Sequence, residues 1–302
     1  MHTNFAHSPK RLQIIGRIQP GSTSTIPITS YGDLINALWF EGSSLNTRLP
    51  GTTFELFIGG QLVDSQTWEY INDIWQPYMA DTWTKATAIN NAIAHADSNF
   101  LPMHFFFCEH DQFLPICALA YHEVEIKVTW GPSVGTDEIK AYANYIFLDV
   151  QERQLMIHTE HTIPITQVQK ITNLDMANFN HPVKAIFFGK ENDPLVPYTF
   201  SSASIYLNNN LLVEEMSPTY FHTVQSYYHT KFAVLNFDED GGSPLYTNFF
   251  MYSFADNLTD YVSKGSCNMS RIDSAILKVS GAQPTIIYAV NQNIYIIIII
   301  LY

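Results

Sequence analysis

The feature that most constrains this chain is a repeat. Asn248–Ser280 reads as an apolar strand (Phe249, Phe250, Tyr252, Phe254), a polar loop from Asp256 to Ser270, and a second apolar run through Ala275, Ile276, Leu277 and Val279. Aromatic and β-branched side chains suit a pleated, half-buried surface, whereas Asp, Asn, Ser and Gly make loops. Phe100–Trp130 has the same layout: an apolar strand at Met103–Cys108, a loop at Glu109–Pro115, and apolar–polar alternation over Val124–Trp130. The two stretches start roughly 145–150 positions apart, about half of the 302 residues. A second pair follows in the same order. Phe54–Met79 reads as a strand, a Gly59-Gly60 turn, a short strand, and a helical pattern with Trp68, Ile71, Ile74 and Trp75 on one face. Ala203–His229 repeats it with an Asn208-Asn209-Asn210 turn. Gly and Asn both accept the positive φ of tight hairpins, so one backbone turn serves both. A period of half a chain implies two domains of one fold, each of ordinary domain size.

The remaining segments read mostly as short strands between turns. Leu12–Ile18 is a plausible opening strand, and Tyr31–Phe40 is either strand or short helix. Ala80–Asn99 is a partly helical loop, and Tyr142–Val150 a strong strand. Leu155–His161 and Ile163–Thr172 are extended by their β-branched content, and Pro182–Gly189 opens the second half as a strand. The boundary falls around residues 152–165, dividing 1–158 from 159–302. Repeated short antiparallel strands with Gly, Asn and Pro turns point to an all-β fold of sandwiches or barrels. Eight strands in two packed sheets, with short helices confined to connecting loops, is a jelly roll.

Composition narrows function. Net charge is −13, which argues against a nucleic-acid binder, since such affinity rests on Lys and Arg meeting phosphates. Aromatic and charged residues each make up 14%. Interface cores are rich in aromatics and poor in charge, so this balance fits a chain packed against others as well as an aromatic-rich β protein. The three cysteines, Cys108, Cys117 and Cys267, lack metal-ligand spacing and read as buried, reduced thiols. The N-terminus MHTNFAHSPKRLQ has no apolar signal-peptide region. The apolar ending Ile294–Tyr302 is too short to span a bilayer as a helix and reads as a buried strand.

Several segments, in order, resemble the major capsid proteins of nucleocytoplasmic large DNA viruses, the iridovirus, phycodnavirus and marseillevirus kind. They are His2–Ala6 (HTNFA), Glu55–Asp64 (ELFIGGQLVD) with the Trp68/Trp75 helix, Leu101–Ile126, His181–Lys184 (HPVK), Met251–Leu277 around GSCNMSRID, and Ile287–Asn291. The resemblance covers nearly the whole chain. It implies a double jelly roll that forms a homotrimer, a pseudo-hexagonal capsomer tiling an icosahedral shell. Implied partners are neighbouring capsomers and minor capsid or penton proteins, with no direct nucleic acid. An inner membrane beneath the shell would not be reached by a transmembrane segment. The place is the virion, assembled in host cytoplasm. The chain departs from the family pattern in lacking an N-terminal arm and first strand, in short loops that make small surface towers, and in its isoleucine-rich ending.

No catalytic, cofactor-binding or metal site is expected, and no cofactor: the chain reads as a structural protein, not an enzyme. His122-Glu123 beside Tyr121 point to opposite faces of a strand and do not converge. His222 and His229, and His158/His161 with Glu160, lack the further ligands zinc needs. Arg271 and Asp273 could form or share ion pairs and read as a structural salt bridge at a domain or subunit contact, and Asp238-Glu239-Asp240 as a solvated loop rather than a calcium site. Asn257-Leu258-Thr259 and Asn268-Met269-Ser270 fit a glycosylation triplet, but cytoplasmic assembly would bypass that modification. The alternatives are a carbohydrate-binding jelly-roll module, a minor capsid paralogue, and a cupin-like metal enzyme.

Overall fold

The computed structural model describes residues 6–90, 99–109, 111–119, 122–191, 198–231, 248–262 and 264–297. The strands of the first half are β1 (Ala6–Leu12), β2 (Thr23–Pro27), β3 (Leu34–Gly42), β4 (Thr53–Ile58), β5 (Gln61–Thr67), β6 (Asn99–Pro102), β7 (Val124–Thr129) and β8 (Ile139–Phe147). They form two four-stranded sheets, β1-β8-β3-β6 and β2-β7-β4-β5. First pairs with last, second with second-last, and so inward to the β4–β5 hairpin. A long hairpin folded back on itself in this way is the jelly roll. Alternation sets the faces: β4 and β7 bury every second residue, placing Phe54, Leu56, Ile126 and Val128 inside against Phe40.

The second half is wired alike. Its strands are β9 (His161–Ile171), β10 (Pro182–Gly189), β11 (Ser202–Leu207), β12 (Asn210–Met216), β13 (Phe249–Ser253), β14 (Cys267–Asn268), β15 (Ala275–Ser280) and β16 (Ile286–Ile297). The sheets are β13-β10-β16-β9, with β14 beside β10, and β12-β11-β15. The place of β2 beside β7 is taken here by a single bridge, Asp175 to Ile276 of β15. The inner aromatic cluster includes Phe188, Phe200, Phe221 and Phe250, with Phe200 and Phe250 edge-on at 4.9 Å.

The duplication reaches the hairpin tips. Gly59 and Gly60 have φ of 59° and 77°, and Asn208 and Asn209 have 49° and 63°. In both hairpins the register then slips by one residue at the same place, at Val63 and at Leu212. Such bulges bend a strand and end regular pairing.

Each hairpin is followed by a helix of π type: Tyr70–Met79 in the first half and Tyr220–Val224, continued by the α-helical Gln225–His229, in the second. The chain forms two compact units: Met1–Trp68, Ala88–Ile165 and Ile294–Tyr302 make one, Glu69–Thr87 and Thr166–Asn293 the other. The helix that follows the first hairpin in sequence therefore belongs to the second unit.

Several segments differ from expectation. Met103–Cys108 is not a strand; the strand is Asn99–Pro102, and Phe106–Cys108 is a 3₁₀ turn. Phe105, Phe106 and Phe107 are all fully buried, which a strand with one solvent face does not allow. Leu155–His161 is not extended; Val150–His158 is a helix capped by the Asp149 side chain, which accepts from the Glu152 N–H at 2.8 Å. That cap outweighs the two β-branched residues, Val150 and Ile157, within the helix. The opening strand is Ala6–Leu12, upstream of Leu12–Ile18, and it fills the first-strand position that the resemblance left empty. Tyr31–Phe40 resolves to strand β3, and the strand expected at Tyr142–Val150 starts earlier and ends at Phe147.

Candidate functional site

Among the described residues, the side chains singled out for chemistry lie apart from one another, most held by their own local contacts. His122 and Glu123 are exposed, and His122 sits over the β4–β5 turn, where a Cβ on Gly59 would come within 3.0 Å of its ring. His158 and His161 donate to the carbonyls of Gln154 and Met156, both at 2.7 Å. His229 donates to the Ala255 carbonyl at 2.9 Å, and His222 lies beside the Thr223 hydroxyl at 3.1 Å. Arg271 ends a 3₁₀ turn rather than lying on a strand, and it makes no ion pair with Asp273 among the described residues. Asp238-Glu239-Asp240 and Tyr121 lie outside the described residues. Asn257 accepts from the N–H and hydroxyl of Thr259, and Asn268 from the Ser270 N–H, so both side chains serve as turn locks. Among the described residues no group of three His, Cys, Asp or Glu is placed to hold a metal, and no helix is long and apolar enough to cross a membrane.

All three cysteines are free. Burial pushes each thiol up, helped at Cys108 by the Glu109 charge and at Cys117 by Asp33. A cleft of about 480 Å³ lies at the end of β1, with Ile14, Ile18 and Ile139 on its walls. Its cations are engaged: Arg11 reaches the Glu138 carboxylate at 2.6 Å, and Lys140 reaches the same carboxylate at 3.7 Å.

The surfaces carry more information than the clefts. In the second unit the sheet β13-β10-β16-β9 is apolar on both faces. One face holds the inner core. The other presents Phe187, Phe249 and Tyr288, all buried under the helix Tyr70–Met79. Tyr78 packs on Phe187 with ring centroids 5.4 Å apart and donates its hydroxyl to the Phe249 carbonyl at 2.7 Å; Tyr70 lies 6.0 Å from the Tyr288 ring. This explains why Ala185–Phe188 of β10 reads as a continuous apolar run rather than an alternating one. Trp68, Ile71, Ile74 and Trp75, expected to share one helix face, are all buried.

In the first unit the equivalent sheet, β1-β8-β3-β6, has an aromatic outer face with less cover. Trp39 stacks on Tyr142 at 5.6 Å, donates to Glu41 at 2.8 Å, and is half-buried like Tyr142. Phe100, opposite Glu41 in the register, is 41% exposed. The helix Val150–His158 buries none of its residues, and the second half's helix leaves Tyr227 78% and Tyr228 70% exposed. Exposed aromatic surface of this kind marks contact with other molecules.

Comparison with known proteins agrees with this reading. Residues 1–149 match the family described as "Major capsid protein N-terminus", and residues 152–293 the family described as "Large eukaryotic DNA virus major capsid protein". The chain is 29% identical to the major capsid protein of Pyramimonas orientalis virus, over 97% of this chain and 88% of that one. It is 26% identical to the major capsid protein of Paramecium bursaria Chlorella virus 1, over 92% and 80%. Its fold superposes on PBCV-1 VP54 with a TM-score of 0.81 at 21% identity, covering 99% of this chain and 96% of that one. With two jelly rolls wired alike and both halves matched in order, the chain belongs to the major capsid proteins of large eukaryotic DNA viruses.

Proposed function

We propose that this chain builds the shell of an icosahedral large DNA virus as a homotrimer, a pseudo-hexagonal capsomer that meets neighbouring capsomers and minor or penton proteins. The observation that carries it is the duplication: two jelly rolls, joined in one chain and alike down to the hairpin bulge. Three copies of a two-domain chain present six similar domains around one axis, and near-sixfold edges suit hexagonal packing. Closed cyclic symmetry is the common solution for homo-oligomers, and an obligate interface buries several thousand Å². The division of the two rolls at 1–158 and 159–302 is part of this reading, supported by the helix Val150–His158 at that point. So are virion location, assembly in the host cytoplasm, and a role that is structural rather than enzymatic.

Light scattering of the purified chain at two concentrations tests it. A species of three times 34.4 kDa that survives dilution is expected. A monomer at every concentration overturns the capsomer reading.

A further inference from the structure

We propose that the helix Tyr220–His229 of one copy docks on the outer face of the β1-β8-β3-β6 sheet of a neighbouring copy, with Tyr227 against Trp39 and Phe100. This rests on the self-assembly reading above and names the surfaces that make it.

The argument is the duplication itself. The two hairpin tips, Ile58 and Leu207, lie 149 positions apart, and so do Tyr78 and Tyr227. Each lies on the helix that follows its hairpin, and both helices contain π-type turns, Tyr78 within them and Tyr227 on the α-helical continuation. The receiving faces correspond as well. Phe187 pairs with Tyr288 across β10 and β16, and Trp39 pairs with Tyr142 across β3 and β8. Two residues on, Gly189 pairs with Phe249, and Glu41 with Phe100. The aromatic set Phe187, Phe249 and Tyr288 thus has its counterpart in Trp39, Phe100 and Tyr142.

Only one of the two sets is fully covered; in the other, Trp39 and Tyr142 are half-buried. Within the second unit, Tyr78 closes over Phe187 and Phe249, and all three are buried. In the other half the same helix leaves Tyr227 78% exposed, and the same sheet face leaves Phe100 41% exposed. Each free surface is the complement of the other in the pairing already formed at Tyr78, and a second copy of this chain supplies both. Repeating that pairing from copy to copy is a heterologous contact, which closes into a ring when the rotation allows.

The chemistry suits burial. Tyr220–His229 contains no Asp, Glu, Lys or Arg. On the sheet face, Glu41 is bonded to Trp39 and stands opposite Lys140 in the register, so docking leaves no lone charge without a neighbour. Tyr and Trp are the residue types that dominate interface energies.

The test uses the full chain. Tyr227→Asp is measured by light scattering beside the wild type, with thermal melting as the folding control. Separately, chains carrying Tyr227→Cys and Phe100→Cys are mixed under mild oxidation and run without reductant. Expected are an assembly midpoint at least about tenfold higher in concentration for Tyr227→Asp, at an unchanged melting temperature of the monomer, and a cross-linked species specific to the mixture. A wild type that assembles while Tyr227→Asp assembles equally, with no mixture-specific cross-link, overturns this inference and leaves the capsomer reading standing. Where the two readouts disagree, or the Asp variant fails to fold, the cross-link decides: its presence supports the inference and its absence overturns it. A wild type that never assembles overturns the capsomer reading itself.

Discussion

Arg48 aims its Nε at the carbonyl oxygen of Val134, 2.6 Å away, from a side chain only 8% exposed. Its other nitrogens donate to the carbonyls of Ser43 and Asp137, both at 2.9 Å. One buried cation therefore fastens the loop before β8 to the loop after β3, with backbone acceptors in place of a carboxylate. Arg48→Met leaves these carbonyls without that donor. Unpaired buried acceptors cost about 1–3 kcal/mol each, less whatever water recovers. The variant is expected to lose about 3 kcal/mol in urea denaturation, and Arg48→Lys, which cannot fork, to lose part of that.

The hairpin tip of the first unit makes a sharper case. Gly60 has φ of 77° with open space where a Cβ would sit. The equivalent residue of the second hairpin, Asn209, has φ of 63°. Gly60→Asn is expected to cost less than about 1 kcal/mol, whereas Gly60→Val, β-branched and hostile to positive φ, costs roughly 1–3 kcal/mol. Comparing the denaturation midpoints of the two variants checks it, and equal midpoints would show that the turn is not held in this region.

These turns also show what sequence could say. Gly-Gly and Asn-Asn flanked by apolar alternation carry their own backbone signal, and Val124–Thr129 alternates as a strand with one wet face should. Phe105–Phe107 carried no such signal, because hydrophobicity reports burial and not the direction of each side chain. The helix Val150–His158 was hidden for a related reason: with no buried face it has no period to read, and only the Asp149 cap marks it. The bridge at Asp175 stands where a full strand would leave a pattern. The membership of Glu69–Thr87 in the second unit is a tertiary fact. The amphipathic pattern of that helix told that it is covered, and could not tell by what. For the same reason the paired surfaces around Tyr78 and Tyr227 became visible only in the register of the sheets.

The thiols offer a direct probe of the buried interior. The thiolate is the nucleophile, and burial raises the thiol of Cys108, Cys117 and Cys267 above its ordinary range. At pH 7.5 the folded chain is expected to react with Ellman's reagent at least about tenfold more slowly than the same chain in denaturant. A full burst of three thiols from the native protein would contradict it.

Asp73 makes stability depend on pH. It lies on the helix Tyr70–Met79, where burial is the main influence and carries its carboxyl from 3.8 up to about 7. The neighbouring Glu69 and Glu191 charges push the same way, and the Asn72 amide, donating at 2.6 Å, opposes them. The folded state therefore holds a proton that the unfolded chain has released throughout the window from about 4 to 7. Where the native state binds more protons, stability falls as pH rises. The penalty is absent below that window, grows through it, and is complete above pH 7. Asp73→Asn keeps the shape and removes the charge. It is expected to raise the melting temperature at pH 8 and to leave it nearly unchanged at pH 4, flattening the difference between them. The Asn72 bond can be separated from burial by Asn72→Ala, which withdraws the one influence that favours the ionised form. That variant is expected to steepen the loss of stability between pH 5 and 8. Equal slopes for wild type and both variants would show that Asp73 stays ionised in the folded chain.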